Sequence, residues 1–79
     1  MNNQLATIGA LALDLKRASL GSKKVSEIFM KEAIKRRDEI NKNNAPLYIQ
    51  NVLSNFEKDQ DKEDLLMYSI LLQNYSING

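Results

Sequence analysis

The sequence predicts an all-α fold: a compact bundle of three to four short antiparallel helices forming one domain over residues 1–79. Three observations lead there. Apolar residues recur at steps of three and four, the spacing that gathers them on one face of a helix. Breaks are few, three glycines and one proline, and they fall mostly between the periodic stretches. Only Leu47-Tyr48-Ile49 reads as a strand, and a lone strand leaves its backbone amides and carbonyls without partners.

The first helix is expected from about Asn3 to Leu20, with Leu5, Ile8, Leu11, Leu15 and Ala18 as its stripe. Ala6, Gly9, Ala10 and Ala12 are small enough to let another helix approach closely, and Gly21 marks the stop. The second helix starts at the capping residue Ser22 and runs to about Asn41. At about 100° per residue, Val25, Ile28, Phe29, Ala33 and Ile40 share a face. Met30 and Ile34 widen it. Lys24, Glu27, Lys31, Lys35 and Asp38 lie elsewhere on the wheel.

After the polar break Asn41–Asn44, Pro46 is placed in the first turn of a third helix, where its missing amide hydrogen costs nothing. Ile49, Val52, Leu53 and Phe56 form that helix's face, which ends near Lys58. Glu57 to Asp64 holds five acids and two lysines and reads as a solvated turn, with Asp61 and Asp64 spaced as a variant capping box. The fourth helix, Lys62 to about Tyr75, carries Leu65, Leu66, Met67, Tyr68, Ile70, Leu71, Leu72 and Tyr75 around nearly its whole circumference. A helix apolar on all sides needs cover on all sides. It is therefore either the central helix or a docking element.

Composition excludes several chemistries. Without cysteine, histidine or tryptophan there is no disulfide, no zinc finger, no thiol and no Ser-His or Cys-His nucleophile. Asp59, Asp61 and Glu63 alternate like the start of a calcium loop, but the positions needing glycine and a bidentate carboxylate hold Asp64 and Ile70. No catalytic, cofactor or metal residue is assigned, and the chain is read as no enzyme. A chain of this length hides only about 60–65% of its unfolded surface. With no disulfide or metal, regular helix packing or oligomerisation must supply the rest. The apolar run Leu5–Leu15 is shorter than the roughly 20 residues a bilayer demands. No positive charge precedes it, although Ala10-Leu11-Ala12 mimics a cleavage site. No membrane partner and a cytoplasmic location are the expectations.

The expected function is a non-enzymatic interaction module, self-associating or binding another protein through the fourth helix, with Met67, Tyr68, Leu71 and Tyr75 at the interface. Charge adds a gradient: residues 1–42 hold nine basic and five acidic side chains, and residues 43–79 two and five. Glu32 and Arg36, four apart with the acid first, fall inside the second helix's apolar stripe and could satisfy each other; they either snorkel outward with their stems on the core or form a polar contact that fixes register across an interface. The alternative is a small nucleic-acid- or anion-binding regulator. It would use Lys16, Arg17, Lys23 and Lys24, which surround Gly21 with no acid from Leu15 to Ser26. No aromatic interleaves those four for base stacking. Leu15 to Gly21 also resembles the substrate motif of cyclic-nucleotide-dependent kinases, with Ser19 as acceptor and lysine in place of the first arginine.

Overall fold

The computed structural model describes residues 4–59 and 61–78. They form four α-helices: α1 (Gln4–Leu20), α2 (Lys23–Arg37), α3 (Leu47–Asn55) and α4 (Lys62–Asn78), with a 3-10 turn at Lys42–Asn44. The body measures 36 × 20 × 19 Å.

The central helix is α1, which packs against both α2 and α4. Its stripe is the core: Ile8, Leu11, Leu15 and Ala18 are fully enclosed, with Ala12 beside them. Gly9 marks a close approach between α1 and α4. A Cβ on Gly9 would lie 3.3 Å from Ser76 Oγ, so α4 sits against the α1 backbone where a larger residue would hold it off. Both neighbours run antiparallel to α1. Gln4 exchanges two hydrogen bonds with the Asn41 backbone at one end, and the Ser26 hydroxyl donates to the Ala18 carbonyl at the other. Lys62 Nζ likewise donates to the Gly21 carbonyl at 2.7 Å, opposite the Gly9–Ser76 end of the α1/α4 pair.

Gly21 ends α1, its amide donating to the Arg17 carbonyl at 3.0 Å. It does so without a left-handed backbone; no described glycine has positive φ. What requires glycine is space: a Cβ there would meet Val25 Cγ1 at 2.6 Å and Val25 Cβ at 2.9 Å. Ser22 then caps α2 by accepting from the Val25 amide.

α2 is rotated from the face its periodicity predicts. Ala33 is buried and Phe29, Met30 and Ile34 pack on the core, but Val25 and Ile28 face outward; Ile40, expected in the same helix, is buried beyond its end at Arg37. Two polar contacts set the rotation. Ser26 bonds to α1, and Arg36 Nε bonds to Asp14 Oδ2 at 2.7 Å, bringing the 26–33–36 side inward. The apolar periodicity cannot anticipate this, because a serine and an arginine occupy inward positions.

α3 follows Pro46, which stands just before the helix and accepts from the Ile49 and Gln50 amides. Ile49, Leu53 and Phe56 are fully enclosed and Val52 nearly so. The α4 start is capped in relay. Asp59 Oδ1 accepts from the Asp61 amide at 3.1 Å, and Asp61 Oδ1 accepts from the Glu63 amide at 2.9 Å. The expected Asp61–Asp64 box is therefore not formed: Asp59 holds the amide, and Asp64 hydrogen-bonds Asp59 instead.

The chain exposes 5092 Å². A compact chain of 9.0 kDa is expected to expose roughly 4,900 Å². One copy therefore closes its own core.

Candidate functional site

α4 lies on the flank of the bundle, so one side of it meets solvent. Leu65, Ser69 and Leu72 face α1 and are buried. On the opposite side Met67 is 51% exposed, Ile70 50% and Ile77 70%. With Asn74 these residues are spaced three, four and three apart, the seam spacing of paired helices. The strip continues onto α1. Leu13, 45% exposed, lines a shallow groove of about 250 Å³ together with Lys16, Gln73 and Ile77, with Gly9 and Ser76 also in its wall. Leu20 is exposed one further heptad along α1.

Of the four residues expected at the interface, only Met67 is on this strip. Tyr68, Leu71 and Tyr75 pack against the chain's own core. Tyr68 donates its hydroxyl to Asp59 Oδ2 at 3.2 Å, and the Tyr75 ring meets the Tyr48 ring edge-on at 6.4 Å. Burial, followed by the bond to Asp59, raises the Tyr68 phenol above its ordinary value. Tyr68 and Tyr75 are thus engaged within the molecule, while Leu13, Ile70 and Ile77 join Met67 as exposed apolar residues on this side; Ile28, Leu47 and Tyr48 are exposed elsewhere. A signal for Leu13 and Leu20 is present in the sequence. They are seven apart and off the α1 stripe, which marks a second, outward line on that helix.

Glu32 and Arg36 do not pair. Arg36 reaches across to Asp14, whose side chain is only 6% exposed against 39% for the arginine, and Glu32 faces solvent. The missed signal was Asp14 itself, the lone acid of α1. A charge that deep needs a cation from a neighbouring element.

The four cations around Gly21 are exposed but turned to different neighbours. Lys16 lines the α1/α4 groove. Arg17 stacks over the Phe29 ring at 5.4 Å. Lys23 lines a different, open groove of about 420 Å³ with Ser26, Glu27, Met30, Lys31 and Lys62. Lys24 lines neither groove. The Ser19 hydroxyl is buried and donates to the Lys16 carbonyl at 2.7 Å, so the kinase-like motif presents no accessible acceptor in the folded chain.

A carboxylate pair stands at the α4 start. Asp59 is held below the ordinary aspartate value, first by its bond from Asp64 and then by the Asp61 amide. Asp64 is raised, first by the same bond. Among the described residues no group of three or more acidic, histidine or cysteine side chains could hold a metal ion, and no helix is long and apolar enough to cross a membrane. No family model matches the chain, and neither a curated protein nor a solved structure matches it.

Proposed function

We propose that this chain is a non-enzymatic protein-interaction module that associates with a second copy of itself through the outer side of α4 and the adjoining edge of α1. The observation that carries this reading is the strip of Leu13, Met67, Ile70 and Ile77, each close to half exposed or more, on a molecule whose core is already closed. Those residues contribute little to the fold, and covering them removes apolar surface from water. Two helices of 17 residues each present a face about 25 Å long and roughly 20 Å across, on the scale of the smaller specific interfaces. Sedimentation of the wild type should show a dimer forming with rising concentration, and Ile70→Asp should leave a 9.0 kDa monomer with unchanged helical circular dichroism. A wild type that stays monomeric at millimolar concentration ends the proposal.

A second reading, anion binding, draws on the groove where Lys23, Lys31 and Lys62 converge beside the α2 start. It expects binding of a polyanion that weakens steeply with salt. No gel shift at low ionic strength would remove it.

A further inference from the structure

The open groove beside the first half of α2 is lined by cations that the fold leaves largely unused. We propose that it binds a compact organic anion, a single carboxylate on a short apolar body, with the carboxylate between Lys23 and Lys62 and the body against Met30. None of these residues belongs to the helix side proposed for self-association except in sharing α4, so the oligomeric state does not decide this site. It uses the groove of the anion reading but not its polyanion, and a missing gel shift leaves it standing.

The cations come from two helices. Lys23 and Lys31 stand just over two turns apart on α2, about 12 Å along the axis, and Lys62 is the first residue of α4. Lys62 is held in place: its Nζ donates to the Gly21 carbonyl at 2.7 Å, in the turn that opens α2. An ammonium has three N–H donors, so two remain for a ligand, already positioned. Among the described residues neither Lys23 nor Lys31 takes part in an ion pair. The Ser26 hydroxyl in the same wall gives its proton to the Ala18 carbonyl, which leaves the ammonium groups as the donors.

Met30 supplies apolar surface. It packs against the core and also lines the groove, and its unbranched thioether adapts to varied apolar shapes. Lysine stems add methylene surface while their heads stay wet. The volume of about 420 Å³ lies within the range of small-molecule sites, roughly 300–1,000 Å³.

Acids limit the charge and length of the ligand. Glu27 lines the groove one turn from both Lys23 and Lys31, and Asp61 and Glu63 flank Lys62 in the chain. Three lysines against one glutamate leave the lining a balance of +2. A multiply charged ligand extending beyond the groove meets those acids, whereas a single carboxylate at Lys23 and Lys62 stays with the cations.

The probe is hexanoate, titrated at low ionic strength into isotope-labelled protein and followed by amide chemical shifts. Shifts should concentrate at Lys23, Met30 and Lys62. Hexanoate should bind at least about fivefold more tightly than hexanol, which lacks the charge, and than acetate, which lacks the body. Lys23→Gln and Lys62→Gln should each weaken hexanoate about threefold, and Glu27→Gln should tighten it. Lys24→Gln removes the same charge from outside the groove and should leave the affinity unchanged. Lys23 makes no ion pair, so its variant decides the matter even where Lys62→Gln disturbs the turn at Gly21. Equal weakening by Lys23→Gln and Lys24→Gln means attraction to the general field of the protein and overturns the proposal. Hexanol or acetate binding as tightly as hexanoate, shifts confined to Leu13 and Ile77, or no binding below ~20 mM hexanoate overturns it as well.

Discussion

At the scale of single residues, two positions show how a local requirement differs from its usual explanation. Gly21 follows a helix and would ordinarily be credited with a left-handed backbone, but its φ is negative and the constraint is the Val25 side chain pressed against it. Gly21→Ala is therefore expected to destabilise by about 1–3 kcal/mol through overpacking, and Val25→Ala in the same chain should recover only part of that loss, because it removes the Cγ1 contact but leaves a Cβ at 2.9 Å and the Arg17 carbonyl at 3.0 Å. Chemical denaturation of the single and double variants tests this; an undiminished loss in the double variant contradicts the steric cause. The Asp14–Arg36 pair is asymmetric in a similar way. Removing the arginine leaves a carboxylate buried without a partner, whereas removing the carboxylate frees an arginine already 39% exposed. Arg36→Met should cost about 3–5 kcal/mol and Asp14→Leu about 1 kcal/mol or less. Equal losses in urea titrations would show that the pair's depth does not control its contribution.

At the scale of elements, the start of α4 holds the pH-sensitive structure. Asp64 is raised by donating to Asp59, so its contribution is present below the ordinary aspartate value and is lost as pH rises through its folded value. Asp59 is lowered, so its contribution is present above the ordinary value and fades as pH falls through its folded value. Asp64→Asn keeps an N–H donor toward Asp59 at every pH and removes one negative charge from the cluster. The melting temperature of this variant relative to wild type should therefore be higher at pH 7 than at pH 3.5. A difference that does not change between those two conditions would show that the pair does not titrate as a unit. The same end of the helix also shows why α4 begins where it does: Asp61 caps the Glu63 amide, and Asp59 holds the Asp61 amide.

At the scale of the whole molecule, the closed core separates folding from association. The residues fully enclosed in one copy include Ile8, Leu11, Leu15, Ile49, Leu53, Phe56 and Leu72, drawn from α1, α3, α4 and the turn after α3. The outer strip contributes to none of this. The melting temperature of the wild type should accordingly rise with protein concentration, because a dimer binds only folded chains, while that of Ile70→Asp should not. At the lowest concentrations the two should converge to within a few degrees. A large loss of stability in Ile70→Asp at low concentration would place Ile70 in the core and contradict its exposure.

Periodicity and punctuation by themselves determined the helical class, the approximate limits of the four helices and the buried stripes of α1 and α3. Each of those follows from local spacing and from the residues that stop or cap a helix. Only the tertiary structure decided which helix is central, how α2 is rotated and which side of α4 stays outside. Helix α1 packs against both α2 and α4, and Gly9 lets α4 come close to its backbone, which leaves α4 on the flank. Contacts between Ser26 and Ala18 and between Arg36 and Asp14 join α2 to α1 and bring its 26–33–36 side inward, leaving Val25 and Ile28 outside. Tyr68 and Tyr75 look like docking anchors in isolation, yet Asp59 and Tyr48, brought to them by the fold, engage them inside one copy. The physical reason is range: a repeat of three and four residues encodes what a helix can bury, but which neighbour buries it is set by close fit and by buried charge across the bundle.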